Sequence, residues 1–173
     1  ASHALFPTAF NPRDNWLRDL GNADLNPSGT LLYRLGSGLA GVLLALFFIG
    51  LWIVARGRPA RVRVFVLLSQ AFGVVGAFAL LMSGIFSLGA HASHSMWSVM
   101  LYIALGTAIF FCGWTFLYFP RLTRRLSYFA FAITLVNWVM AAFNKTHFIE
   151  WTVVTLMLIY VGAVSNRMSR MDS

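Results

Sequence analysis

Five long apolar runs, separated by short polar segments, dominate the chain from residue 31 onward. They extend from about Leu31 to Ala55, Val62 to Leu88, Met96 to Phe119, Tyr128 to Phe143 and Ile149 to Val164. Each is near the roughly 20 residues that a helix needs to cross the hydrocarbon of a bilayer. Period-2 alternation is absent, and backbone groups in lipid must be satisfied internally, so the runs are predicted to be helices. We predict an all-α fold, a polytopic helical membrane bundle with about five transmembrane helices.

The segment before the first run has a different character. Residues 1–28 are polar and rich in turn-forming pairs, and we interpret them as an extracytoplasmic loop or interfacial segment. A short amphipathic helix is predicted there, through Asp14 to Leu20, with its apolar face at the interface. Residues 29–166 then form the transmembrane bundle, and residues 167–173 form a cytoplasmic tail.

Composition agrees with a membrane environment. The chain is 59% hydrophobic and only 10% charged, which leaves too little polar surface to cover a soluble globule of 173 residues. The net charge of +8 does not indicate nucleic acid, because the arginines lie between apolar runs and form no basic stripe. We therefore expect no nucleic-acid partner.

The arginines instead predict the orientation of the bundle. One side receives Arg56, Arg58, Arg61, Arg63, Arg121, Arg124, Arg125, Arg167 and Arg170. By the positive-inside rule this side is cytoplasmic, in what we expect to be a prokaryotic inner or plasma membrane. Because the sequence begins at Ala1 without an initiator methionine, we also expect a missing upstream segment. An upstream helix would make the bundle six-helical.

Ionisable groups other than arginine segregate to the extracytoplasmic side. Four of the five acids and all four histidines fall there: Asp14, Asp19, Asp24, Glu150, His3, His91, His94 and His147. Acids count little in setting topology, so orientation alone does not require this distribution. We expect three short stretches, around Asp19, His94 and Glu150, to converge at one mouth between helix ends.

These three residues are the candidate catalytic set. A histidine beside carboxylates acts as a general base, and Asp19 or Glu150 would orient His94 or serve as the acid, in acyl or phosphoryl chemistry on a lipid headgroup. Ser93 or Ser95 would be the nucleophile, if one is used. The structural alternative is that these groups cap helices and form ion pairs at the interface.

Further residues near this mouth are candidates for substrate binding: Arg18, Arg34, Ser95, Lys145 and His147. Arg34 lies in the first turns of its span, where it either pairs with Asp19 or Asp24 or contacts substrate. We expect no metal and no other cofactor. The alternative is zinc bound by the three histidines His91, His94 and His147, although their spacing matches no established zinc pattern.

Polar and small residues inside the runs are predicted to be structural. Gln70 and Asn137 are expected to form hydrogen bonds between helices, because an amide in hydrocarbon needs a partner. Cys112 is expected to pack within the bundle. Small residues would let helices approach closely, namely Gly36, Gly38, Gly41, Ser69, Gly73, Gly76 and Ala77.

Several short segments resemble a widespread bacterial and archaeal membrane family known only as a domain of unknown function. They are Asn15 to Gly21, Asn26-Pro27-Ser28, the glycine-rich first span, the His94 turn and Ile149-Glu150-Trp151. That family is similar in turn to the eukaryotic Frag/DRAM/Sfk membrane proteins. The resemblance implies six helices, with the first before a Ser-Asp-Leu-Gly-like motif, in which this chain has Arg18 where serine is usual. It also implies lipid chemistry at the outer leaflet, since some eukaryotic relatives are associated with remodelling of lipid anchors.

Two functions follow from these observations. The first is binding or modification of a lipid or lipid-linked substrate at the extracytoplasmic face, with membrane lipids as partners; whether the chain is an enzyme stays open. The alternative is a non-enzymatic accessory subunit packed against other membrane protein subunits. A transporter or channel is disfavoured, because the spans lack the acidic residues of an ion path and no inverted repeat is visible.

Overall fold

The fold is a bundle of long helices preceded by a compact N-terminal segment. The computed structural model describes residues 2–86, 91–119, 121–143 and 147–170, and for residues 91–95, 121–123, 141 and 143 it describes the backbone alone. Two short 3₁₀ helices, Ser2–Leu5 and Leu17–Gly21, come first. They are followed by α1 (Thr30–Gly50), α2 (Trp52–Ala55), α3 (Ala60–Ile85), α4 (His91–Leu117), α5 (Arg121–Phe143) and α6 (His147–Ser169). The predicted all-α class is confirmed.

Four helical segments within the described residues are long and apolar enough to cross a membrane. They are Thr30–Ala55, Ala60–Ile85, Met96–Leu117 and His147–Ser169. The prediction was about five, and α5 is the helix that makes the difference. The side chains of residues 121–123, 141 and 143 lie outside the described residues, so the fifth span, predicted from Tyr128 to Phe143 in α5, stays a prediction. The four apolar segments indicate an integral membrane protein.

The predicted amphipathic helix from Asp14 to Leu20 is not formed as such. A single 3₁₀ turn occupies Leu17–Gly21, because the Asp19 carboxylate accepts the Trp16 backbone N–H at 2.7 Å and tightens the chain there. Asn22 follows in an extended conformation and ends the turn. The apolar side of the turn still faces the protein, since Leu20 is buried.

The long helices pack on one another in chain order. α1 packs on α3, α3 on α4, α4 on α5, and α5 on α6. The core lies between them and includes Phe48, Ile109, Phe116 and Tyr160, each of them almost fully buried. Over the residues that the structure describes, α1 and α6 do not pack along their lengths. The bundle is therefore an incompletely closed ring.

Glycines allow the close approaches between α1, α3 and α4. A Cβ atom at Gly73 would collide with the ring of Phe48, and one at Gly76 would lie 2.7 Å from Leu105 Cδ2. Gly41 likewise faces Leu81, so the expected close packing is confirmed at these three positions. It is wrong for Gly36 and Gly38, where an added Cβ would have no neighbour within 4 Å.

Polar side chains inside the bundle bond across helix pairs. Gln70 Nε2 donates to the Ile49 carbonyl at 2.8 Å, and Asn137 Nδ2 donates to the Tyr102 carbonyl at 2.8 Å. Ser69 Oγ donates to the Ala108 carbonyl at 2.8 Å. The interhelical hydrogen bonds predicted for Gln70 and Asn137 are confirmed, and they tie α1 to α3 and α4 to α5 without charge.

We expect Gly73→Ala to destabilise the bundle by about 1–3 kcal/mol, because the added methyl group must displace the Phe48 ring from a filled core. Gly36→Ala is the matched control and is expected to leave stability unchanged or raise it by up to about 1 kcal/mol, because alanine favours the helix and the methyl group meets no neighbour. Thermal unfolding of both variants in one detergent measures the difference. Equal stability of the two variants would contradict the packing described between α1 and α3.

Candidate functional site

Among the described acids, Glu150 is the one that is buried, and it lies in the first turn of α6. Its side chain is 7% exposed. The Tyr102 hydroxyl donates to Glu150 Oε1 at 2.9 Å, and the Leu17 backbone N–H donates to Oε2 at 3.3 Å. One carboxyl group therefore joins α6, α4 and the N-terminal segment. Hydrogen bonds to both oxygens offset the cost of burying it.

Aromatic contacts hold the same segment against α6. Trp151 Nε1 donates to the Asn15 carbonyl at 3.1 Å, and the rings of Trp16 and His147 are 4.1 Å apart between centroids. The Arg18 guanidinium lies over the Trp16 ring, 4.8 Å from its centroid. Residues 15–18 thus form a roof over the start of α6.

Asn26 fixes the other end of this roof to α1. It is fully buried, and its Nδ2 donates to the Leu20 carbonyl and to Ser2 Oγ, both at 3.0 Å. Thr30 Oγ1, in the first turn of α1, donates to the Asn26 carbonyl at 2.7 Å. A side chain at Gly29 would collide with the Asn26 carboxamide, so glycine is required there.

Below the roof, an elongated cavity of about 140 Å³ runs between α1, α3, α4 and α6. Its polar groups lie near the helix ends that face the N-terminal segment: Arg18, Tyr33, Ser83, Ser98, Tyr102 and Glu150. Apolar residues such as Phe48, Ile109 and Val161 line the remainder. Val161 is eleven residues beyond Glu150, which corresponds to about 16 Å along α6. The cavity is therefore polar at one end and apolar along its length.

The cavity reaches the outer surface of the bundle between α1 and α6. Leu158 lines it and is nevertheless 65% exposed, and the cavity-lining Ala40 on α1 is also exposed. The two helices meet farther from Glu150, where a Cβ at Gly50 would lie 3.8 Å from Met168 Cε. A side opening at the depth of Ala40 and Leu158 follows from this geometry.

The predicted catalytic residues have different positions in the structure. Glu150 lines the cavity, and Asp19 follows the roof directly in sequence, where its carboxylate accepts the Trp16 N–H. The His94 side chain lies outside the described residues, so the proposed grouping of Asp19, His94 and Glu150 stays a prediction.

The residues predicted to bind substrate also lie at different places in the structure. Arg18 lines the cavity, and His147 packs on Trp16. Arg34 Nη2 donates to the Ile85 carbonyl at the end of α3, at 3.1 Å, a structural contact that the sequence did not predict. Lys145 and the Ser95 side chain lie outside the described residues.

Metal binding finds no support among the described side chains, which contain no group of three or more histidine, cysteine or acidic residues suited to an ion. The alternative zinc set includes His91 and His94, whose side chains lie outside that part of the chain, so it stays a prediction. Cys112 is buried in the core as expected.

Sequence analysis did not single out two residues of this region, Tyr102 and Asn26. Tyr102 lies six residues beyond Met96, less than two helical turns into its run, and a hydroxyl group near the polar end of a span was the available signal. Asn26 precedes a proline, a pattern typical of an exposed turn, so the sequence does not indicate that its side chain is fully buried.

The fold and the cavity define a helical membrane protein with a roofed pocket between its helices. The chain matches no protein-family model, no curated protein and no solved structure. The function proposed below is therefore inferred from the geometry of the cavity.

We expect Glu150→Ala to speed amide hydrogen exchange at Leu17 by about twofold to tenfold, because an intramolecular hydrogen bond contributes about 0.5–1.5 kcal/mol. Glu150→Gln keeps one acceptor oxygen and should have a smaller effect. Thr152→Ala, which removes only a bond to Phe148 within α6, is the control. Amide exchange is measured by mass spectrometry in nanodiscs. Unchanged protection of Leu17 in Glu150→Ala would contradict the claim that Glu150 holds residues 15–18 in place.

Proposed function

We propose that the chain binds a lipid or lipid-linked molecule in the roofed cavity, with its polar group beneath residues 15–18 and its hydrocarbon along α1 and α6. The observation that carries this proposal is the cavity itself, which is polar at one end, apolar along its length and open at its side. Such a shape complements an amphiphile.

The apolar part of the cavity suits hydrocarbon and disfavours water. Phe48, Leu105 and Met157 offer no hydrogen bonds, and an apolar space of this kind stays dry unless an apolar group fills it. A dry cavity of about 150 Å³ holds a molecule the size of benzene. The enclosed 140 Å³ thus accommodates a few carbons of a chain, and the rest would lie in the side opening.

The side opening supplies a route from the bilayer. A lipid chain that enters between Ala40 and Leu158 never leaves an apolar environment, so entry requires no exposure of the chain to water. The exposed leucines of α1, among them Leu35, Leu39 and Leu43, keep the approach to this opening apolar.

The polar end suits a headgroup that carries both an anion and hydroxyl groups. Arg18 supplies a cation for phosphate or carboxylate, and Tyr102 and Glu150 supply a hydroxyl and an acceptor. Tyr102 and Glu150 are already bonded to each other, so they are pre-positioned and a ligand need not order them.

Val154→Phe tests this proposal, because Val154 is half-buried in the cavity wall on α6 and a larger side chain fills the space. We expect labelling of α1 and α6 by a phospholipid with a photoreactive acyl chain to fall about tenfold or more, because the ring occupies the space of the chain and a loss of about 1.4 kcal/mol of binding free energy is already tenfold. Thr155→Phe places the same ring on the exposed face of α6 and should leave cavity labelling unchanged.

Equal labelling in the two phenylalanine variants would overturn lipid binding in the cavity. The accessory-subunit function would then be favoured, since Gly36 on the exposed side of α1 leaves room for close approach by a partner helix.

A further inference from the structure

A second cavity lies at the opposite end of the bundle, in the cleft between the beginning of α5 and the end of α6. Its volume is about 210 Å³, and it is lined by Leu126, Ala163, Asn166, Arg167 and Arg170. The polar and cationic groups come from the last turns of α6, and Leu126 and Ala163 form the apolar wall toward the bundle.

Arg167 carries the argument for a ligand. Its Nε is buried and has no hydrogen-bond partner in the described part of the chain. A buried guanidinium donor without an acceptor costs free energy that an anionic oxygen would recover. Arg170 and Asn166 add exposed donors beside it. Two arginines and an amide around one cleft are well suited to the oxygens of a phosphate.

Charge at this end favours the same ligand. The described acids Asp14, Asp19, Asp24 and Glu150 all lie in the N-terminal segment or in the first turn of α6, at the far end of the bundle. Arg124 and Arg125, in the first turns of α5, are exposed next to the cleft in sequence. An anion that approaches this end meets a net positive field, because Arg124, Arg125, Arg167 and Arg170 outnumber Asp172, the acid that follows them in sequence.

We propose that this cleft binds a phosphate group, with Arg167 and Arg170 as its donors. The group is supplied either by the headgroup of an anionic lipid, whose chain would follow Leu126 and Ala163, or by a free phosphate. Basic pockets between transmembrane helices are well suited to such headgroups. The site is separate from the roofed cavity and does not depend on lipid binding there.

The test uses the full chain in neutral detergent, titrated with dioctanoyl phosphatidylglycerol and followed by native mass spectrometry. Arg167→Gln combined with Arg170→Gln should weaken binding of this lipid by at least about tenfold. The matched control is Arg56→Gln combined with Arg63→Gln, which removes the same charge at the same end from exposed positions outside the cleft. It should change affinity by no more than about twofold to fivefold.

Ala163→Phe fills the cleft without changing charge and should weaken binding as the double arginine variant does, which keeps the test valid if that variant folds poorly. Competition with inorganic phosphate identifies the source. Displacement only at a large excess over the lipid supports a lipid headgroup, and displacement at equal concentration supports a free phosphate.

Two results would overturn the proposal. One is an equal loss in both double variants, which would mean that net charge alone attracts the lipid. The other is unchanged affinity in both the double arginine variant and Ala163→Phe, in which case Arg167 and Arg170 only complement the carbonyl end of α6.

Discussion

The hydrogen bonds to the Glu150 carboxyl group are the interaction on which the rest of the site depends. A carboxyl group buried at the start of an apolar helix is tolerated only if its oxygens are satisfied. Tyr102 satisfies one oxygen and the Leu17 backbone satisfies the other. Because these donors belong to α4 and to the N-terminal segment, satisfying one group also closes the roof and sets the position of α6.

The position of α6 in turn creates the cavity. α6 packs on α5 and is held at its first turn by residues 15–18, yet it does not pack along α1 within the described residues. The space left between α1 and α6 is bounded by the α4 residues Tyr102, Leu105 and Ile109. The hydrogen bonds of Glu150 hold one end of α6, and the gap between α1 and α6 stays open along the rest. A fully closed bundle would not contain such a pocket.

Much of the architecture could be predicted from the sequence because apolar runs of membrane length leave helices as the reasonable solution. The second run was predicted from Val62 to Leu88, and α3 is observed at Ala60–Ile85. Glu150 could be singled out because it is an acid next to an apolar run, which requires a specific partner. The interhelical bonds of Gln70 and Asn137 could be predicted for the same reason.

Other features could not be predicted because they depend on which way side chains point. The sequence places glycine at both Gly36 and Gly73, but only the packing of α1 on α3 shows that Gly73 faces Phe48 and that Gly36 faces nothing. The cavity likewise depends on how α1, α3, α4 and α6 pack, and the role of Tyr102 depends on its hydroxyl facing Glu150. The contact of Arg34 with the Ile85 carbonyl could not be predicted either, since it depends on where α3 ends beside α1.

The most direct measurement is an experimental structure of the purified chain in lipid nanodiscs, at a resolution that shows lipid chains. The account predicts elongated density that enters between Ala40 and Leu158, contacts Phe48 and Met157, and ends beneath Arg18 and Tyr102. Density absent from the cavity, with α1 packed directly against α6 along its length, would contradict it.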